Sequence, residues 1–505
     1  VHPEFGGFAD IYEAGKAQVV WMKLVADLET PVSAMMKIAD QQPNSFLLES
    51  VEGGAIRGRY SLIGLRPDLI WRYADGLTEV NTSALTMSDN FLPCPIGSVD
   101  GPLASLRGLM SDSRIELPEH LPPMSAGLFG YMAYDAGRLV EPRVPDENPN
   151  SLDLPDGLFL RPTIMAIFDA LEDTLTLITP VWPDDALEGA AAYDAARARL
   201  DSVVSELDKT LPHRHEHRTS CGGSIMPQSN ISKEAFFDVV KTCVDYVHAG
   251  DAFQIVPSQR FRMPFDLPDF SFYRALRRLN PSPFLFFMNF GEFSVVGSSP
   301  EILVRVRNGK VTIRPLAGTR PRGATSEEDH ALAQDLLNDP KERAEHLMLL
   351  DLGRNDLGRV AKVGSVKVTE QFIVEYYSHV MHIASNVEGE LADNCDVIDA
   401  LLAGFPAGTV SGAPKVRAME IIDEVEPERR GVYGGCIGYF GADGDMDTCI
   451  ALRTAVIKDQ TLYIQAGCGV VADSDPEYEY QETINKAQAL VRAAEEARAF
   501  AIQNS

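Results

Sequence analysis

The sequence predicts an α+β protein, and three observations carry that prediction. Segments rich in β-branched and aromatic residues alternate with segments of helical period through most of the 505 residues. Neither an internal repeat nor a regular strand–helix–strand spacing accompanies the alternation, which argues against a doubly wound parallel sheet. At 45% hydrophobic, the chain has ample material for buried cores, as about three domain-sized units or two large ones.

In order along the chain, residues 1–210 read as an N-terminal region. Residues 16–42 form a helix-rich entry, and FLLESVEGG (46–54) reads as a strand ending in a turn. YSLIGLRPDLIWRY (60–73) and LFLRPTIMAIFDALEDTLTLITPVW (158–182) read as strands with turns between them. ALEGAAAYDAARARLDSVVSELDK (186–209) is alanine-rich, with Leu, Tyr and Val at helical spacing. Residues 211–230, polar and rich in Gly, Pro and Ser, form a linker to a second region, 231–505. His213, His215 and His217 lie in that linker, where alternating histidines read as solvated rather than metal-binding. The second region opens with the helix SKEAFFDVVKTCVDYVHAG, whose core stripe is Phe236, Val240, Cys243 and Val247 and whose stop is Gly250. Strands follow at 252–263 and 284–306. A helix capped by Ser326 then precedes one that Pro340 opens and Gly353 closes. Thr461 to Gln465 reads as a strand, and a last helix starts with Asp475 as N-cap and Pro476 at its first position.

Charge narrows the partners. Lys and Arg number 45 against 73 Asp and Glu, a net charge of −28, which argues against a general affinity for nucleic acid or an anionic membrane. An acidic small molecule would need local cations to bind. Seven cysteines without regular spacing fit a reducing cytosol rather than a disulfide framework. No apolar run reaches 18 residues, so no membrane span is expected. The opening VHPEFGGF has neither the basic nor the apolar region of a signal peptide; it also lacks Met, leaving room for residues upstream. A cytoplasmic location is expected.

Two carboxylate pairs are candidates for chemistry. Glu479, Glu482 and Lys486 fall at i, i+3 and i+7 on one face of the last helix, and Glu342 and Glu345 sit at i, i+3 on another. This spacing suits an ordinary solvated face as well as a cage for a hard cation beside an anion. GCGVVA (467–472) formally matches a dinucleotide fingerprint, but too little chain follows for the unit that fingerprint needs. AGTVSGAPK (407–415) lacks the Gly-Lys-Ser/Thr of a phosphate loop. Both nucleotide readings are rejected. Closely spaced glycines that let backbone N–H groups approach a carboxylate remain.

DAFQIVPSQRF (251–261), VGSSPEILVR (296–305), RPLAGTRPRG (314–323), KERAEHLMLLDLGRNDLGRV (341–360), HVMHIASNVEGEL (379–391), FPAGTVSGAPKVRAMEII (405–422), VYGGCIGYF (432–440) and DTCIALRTA (447–455) occur in this order. Together with 462–486 they resemble the chorismate-utilising enzymes, most closely the large components of anthranilate synthases. The likeness covers nearly all of 231–490, and FLLES (46–50) extends it into the N-terminal region.

That resemblance implies a large mixed or antiparallel β-sandwich core flanked by helices. It also implies a Mg²⁺-dependent lyase reaction, chorismate plus ammonia giving anthranilate plus pyruvate, the first committed step of tryptophan biosynthesis. Glu345 and Glu482 match the Mg²⁺ ligands, with Glu342 and Glu479 auxiliary. Tyr433 and Arg453 match residues that hold the enolpyruvyl carboxylate. Gly467, Cys468 and Gly469 would supply backbone donors, Gly318 and Thr319 would line the site, and Lys486 would bind a carboxylate. Glu301 matches the general acid for the departing hydroxyl, His382 belongs to the elimination stage, and Thr409 is a third catalytic candidate.

Branches of the family differ at two positions. Isochorismate-forming members have a water-activating lysine where this chain has Gln254, and an amide is no base. Aminodeoxychorismate synthases have a nucleophilic lysine where this chain has Ala317. Direct attack by ammonia is therefore expected; aminodeoxyisochorismate or aminodeoxychorismate synthesis, and a non-catalytic tryptophan sensor, are the alternatives. Leu48, Glu49 and Ser50, with Asn280, Pro283, Phe284 and Leu285, resemble the pocket that binds inhibitory L-tryptophan. The 505 residues contain no stretch read as a glutaminase, whose domain would take about 150–200 residues. A separate glutamine amidotransferase subunit in a two-plus-two heterotetramer is the expected ammonia source.

Overall fold

The computed structural model describes residues 1–39, 42–52, 56–87, 89–211, 226–377 and 380–500. His213, His215 and His217 lie outside the described residues. Helices pack against an extensive β-structure in which every described strand pairing is antiparallel, the second of the two arrangements expected. The α+β expectation holds. The division at 211–230 does not interrupt the sheet. Strand Ser45–Glu52 pairs with Phe284–Asn289, with Glu49 opposite Leu285, and strand Gly127–Met132 pairs with Cys436–Gly441. The cores are shared in the same way: Phe46, Phe129 and Tyr131 pack in one cluster with Phe286, Phe293 and Ile437.

Several elements follow from local chemistry. The helix Gly189–Leu207 buries Ala192, Tyr193, Ala196, Leu200, Val203 and Leu207, a stripe three and four residues apart. Helix Lys233–Ala249 is capped by Ser232, whose hydroxyl accepts from Ala235 N (3.2 Å), and Gly250 ends it at φ +85°. Asp475 caps the last helix, Pro476–Phe500, accepting from Tyr478 N (3.0 Å).

Three elements differ from the sequence reading. The entry at 16–42 is half strand: Gln18–Val25 pairs residue for residue with Thr174–Val181, and only Pro31–Ile38 is helical. Pairing with a partner so distant in the chain leaves no local signal. The helix Ser326–Asn338 is capped one residue earlier than expected, by Thr325, which accepts from Glu328 N (3.2 Å). Helix Pro340–Gly358 runs straight through Gly353, which is buried; a Cβ there would stand 3.5 Å from Ile313. A side-chain methyl would meet only ordinary van der Waals contact there, and the helix continues past the glycine to Gly358.

Candidate active site

Two helices and one turn build the first wall. Helix Pro340–Gly358 carries Glu342 and Glu345, and Asp339 caps it by accepting from Lys341 N (2.9 Å) and Glu342 N (3.2 Å). Helix Pro476–Phe500 carries Glu479, Glu482 and Lys486. Between them runs the end of strand Thr461–Gly467, paired with Ser258–Pro264 so that Gly467 lies opposite Ser258. Ile255 and Val470 exchange backbone hydrogen bonds of 3.0 and 2.7 Å, which holds the turn against Gln254. The amide of Gln254 donates to Glu345 Oε1 (3.0 Å). Lys486 Nζ donates to Glu482 Oε1 (2.6 Å) and to Gly467 O (3.0 Å).

Packing explains the glycine pair. A Cβ on Gly469 would stand 2.4 Å from Gln254 Nε2, and one on Gly467 2.8 Å from both the Tyr433 hydroxyl and Pro257 O. The turn thus gathers Gln254, Glu345, Tyr433, Lys486 and Glu482 around itself. The expectation for Cys468 is corrected: its N–H already donates to Pro257 O (3.1 Å) and offers nothing to a ligand.

Burial sets the charges of this wall. It pushes Glu479 up to about 7, with Glu482 adding to the shift and Ser474 opposing it, and Glu479 Oε2 is buried without a partner. Glu342 is also raised by burial, against the pull of Arg320, whose Nη1 lies 3.1 Å from Glu342 Oε1. Desolvation acts to lower the Lys486 ammonium, but Glu482, Tyr433 and Cys468 together hold it above its ordinary value. Among the described residues no three His, Cys, Asp or Glu side chains converge on one point. The all-oxygen donor set of Glu345 and Glu482, with an orphaned carboxylate oxygen on Glu479 nearby, fits Mg²⁺, which commonly keeps water and substrate oxygens beside one or two protein carboxylates.

The second wall is built on the sheet. Glu301 follows strand Phe293–Ser299 and is buried; its backbone O accepts from Ile450 N (3.0 Å). Desolvation raises its carboxyl to about 8, against hydrogen bonds from Leu316 N and from Thr409, whose hydroxyl donates to Oε2 (3.3 Å). His382 Nδ1 lies 3.0 Å from both Gly318 O and Thr319 Oγ1. The carbonyl can only accept, so Nδ1 carries the proton and Nε2 keeps its lone pair. Desolvation, with Arg453 adding, lowers His382 to about 4. Lys486 acts on the same imidazole, which places His382 within electrostatic reach of both walls. Gly318 at φ +73° and Arg453 at φ +47° hold left-handed backbone conformations; the arginine is strained there, as functional residues often are. The Tyr377 ring packs edge-on to His382 at 5.4 Å. The sequence reading missed Tyr377 and Arg320, which lie inside or beside quoted motifs but carry no spacing signal.

A separate cleft of about 170 Å³ lies where strand Ser45–Glu52 meets Phe284–Asn289. Leu48, Glu49, Ser50, Phe284 and Leu285 line it, together with the unanticipated Tyr60, Arg305, Tyr439, Asp447 and Cys449. Asn280 and Pro283 are not among its lining residues. The Asn280 carbonyl accepts from the Ser298 hydroxyl, and its amide nitrogen is buried without a partner. Glu49 is fully engaged, accepting from Arg277 Nε (2.5 Å) and Nη2 (2.9 Å) and from the Tyr273 hydroxyl (2.5 Å). Asp447 Oδ1 is buried and has no partner.

Residues 80–492 match the chorismate binding enzyme family. Anthranilate synthase component 1 of Cereibacter sphaeroides is 56% identical over 498 residues, 98% of each chain. The crystal structure of anthranilate synthase component I from Streptococcus pneumoniae TIGR4 superposes with a TM-score of 0.74 at 36% identity, covering 93% of this chain and 99% of that one. The menaquinone-specific isochorismate synthase of Escherichia coli, at 22% identity, a TM-score of 0.70 and 95% of each chain, shares the fold. The chain belongs to the chorismate binding enzymes and, within them, to the anthranilate synthase component 1 family.

Proposed function

We propose that this chain is a lyase that forms anthranilate and pyruvate from chorismate and ammonia with Mg²⁺. The observation that carries the reading is Glu301: a buried carboxyl held protonated up to about pH 8 and touched by Thr409. Such a group can give a proton to a poor leaving group such as hydroxide. Glu345 and Glu482 would hold Mg²⁺, with Glu342 and Glu479 supporting them. Bound there, the ion supplies positive charge that grips and neutralises a substrate carboxylate. Lys486 adds a second cation at the same wall. Arg453, whose guanidinium is lowered by desolvation against an opposing interaction with Tyr377, would fork the enolpyruvyl carboxylate, with the Tyr433 hydroxyl donating beside Gly467. His382, neutral with Nε2 open, would accept a proton during elimination of pyruvate.

Two features favour this reading over its relatives' other chemistries. Gln254 is an amide committed to Glu345, so water has no base at that position. Ala317 is buried on strand Leu316–Pro321 and offers no nucleophile. Both support direct attack by ammonia. The relatives' designation as component 1 points to a second component. We assign it as a glutaminase that supplies the ammonia in a two-plus-two assembly, which light scattering of the mixed subunits tests. Among the described residues no helix is long and apolar enough to cross a membrane.

The cleft beside Glu49 is the proposed site of feedback inhibition by tryptophan. Its apolar wall of Leu48, Phe284 and Leu285 suits an indole; Asp447, paired through Oδ2 with Arg305 (3.0 Å) and Arg307 (3.4 Å), keeps a buried Oδ1 without a partner, which would turn to an incoming ammonium group. Glu49, already saturated by Arg277 and Tyr273, shapes the wall. Asp447→Asn is expected to raise the tryptophan concentration for half-inhibition by about tenfold or more, while ammonia-dependent turnover stays within about twofold. Unchanged inhibition would remove tryptophan's ammonium from this position.

A further inference from the structure

Just before Tyr433 the chain holds a buried ion pair that none of the roles above uses. Arg430 is 2% exposed and Glu426 6%. Arg430 Nε donates to Glu426 Oε2 (3.0 Å) and Nη2 to Oε1 (2.5 Å). The guanidinium also donates to two backbone carbonyls distant from each other in the chain, Val410 O from Nη1 (2.6 Å) and Val256 O from Nη2 (2.5 Å). Glu426 Oε1 in turn accepts from Ser258 N (2.7 Å) and Ser258 Oγ (2.9 Å). The arginine's central carbon stands 5.6 Å from the centre of the Tyr433 ring.

Every group so anchored adjoins the candidate site. Val410 follows Thr409, the donor to Glu301. Val256 and Ser258 flank Pro257, whose carbonyl accepts from Cys468 N and limits the space at Gly467. Ser258 lies opposite Gly467 in the ladder. A planar fork with five donors can hold these directions at once, and a lysine ammonium cannot. Desolvation offsets much of the attraction in a buried ion pair, so stability alone is weak grounds for keeping one; fixed geometry is the better account here.

We propose that Arg430, clamped by Glu426, is a positioning residue for the amination reaction, setting the Thr409–Glu301 wall against the Gly467–Tyr433 wall that grips the substrate. The inference rests on the site reading given under the proposed function. In the full-length chain with ammonia as nucleophile, Arg430→Lys is expected to lower kcat by about tenfold or more and to raise the chorismate KM by about fivefold or more. Ser258→Ala, which loosens only the glycine side, is expected to raise KM about threefold or more with kcat within about twofold. A residue serving folding alone would reduce the fraction of active enzyme, lowering kcat with KM unchanged. That pattern in both variants, or wild-type kinetics in Arg430→Lys, overturns the proposal. Should Arg430→Lys fail to fold, the KM of Ser258→Ala decides. Arg453→Lys is measured alongside: a raised KM there with none in the other two sinks this inference alone, whereas no change in any of the three sinks the site reading beneath it.

Discussion

Replacing Glu301 by glutamine lowers kcat for ammonia-dependent anthranilate formation by about 10²–10⁴-fold, the range for loss of a positioned general acid, with the chorismate KM within about threefold. The carboxyl is buried and, among the described residues, accepts hydrogen bonds from Thr409 and the Leu316 amide, so the substitution removes a proton donor and little binding. The sign of the pH dependence follows from the direction of the shift. Burial raises the carboxyl from its ordinary value to about 8, so the proton-donating form is present below that pH and lost above it. When rates are expressed against uncharged ammonia, kcat falls as pH rises through about 8, and that limb is absent in Glu301→Gln. His382, lowered to about 4, adds no limb near the ordinary imidazole value. A profile that breaks near 6.5 would assign the proton transfer to a different group.

The second large effect concerns the metal. Glu345→Gln or Glu482→Gln is expected to weaken Mg²⁺ binding by more than about 100-fold, measured by titration calorimetry in the presence of chorismate, and to cost at least as much in kcat/KM. Glu342→Gln and Glu479→Gln are expected to cost about 10–100-fold, the range for groups that orient ligands. The distinction rests on present partners. Glu345 and Glu482 are held by single hydrogen bonds to Gln254 and Lys486, both displaceable by an ion. Glu342 is tied to Arg320, and the Glu479 side chain is buried. Equal losses in all four variants would point to a ligand set larger than two carboxylates.

How much of this was legible in the sequence depends on the reach of each interaction. The Asp475–Pro476 start of one helix and the Gly250 end of another are local chemistry, and the sequence reading placed them correctly. Gly353 misled because a glycine late in a helical pattern looks like a stop, whereas the helix runs through it to Gly358. Strand Gln18–Val25 misled because its partner lies some 150 residues away by register, from Val181 to Thr174. Within the site, spacing joined Glu479 to Glu482 and Glu342 to Glu345 and left a cage built from both pairs level with two solvated faces; the resemblance decided between them. The Gln254–Glu345 bond within the first wall spans 91 residues, and Arg430 reaches Val256 across 174. No periodicity reports contacts of that range. Glu49 was found through its motif, but its saturation by Arg277 and Tyr273 could be seen only once the strands were paired.

On these assignments the chain by itself aminates chorismate and eliminates pyruvate. The most direct test is the fluorescence of anthranilate formed by the purified chain with chorismate, Mg²⁺ and ammonium at mildly alkaline pH, with mass spectrometry of the products. Anthranilate and pyruvate are expected in equal amounts, dependent on Mg²⁺ and suppressed by tryptophan. Accumulation of an amino-cyclohexadiene that retains its enolpyruvyl group, or no consumption of chorismate, would contradict it.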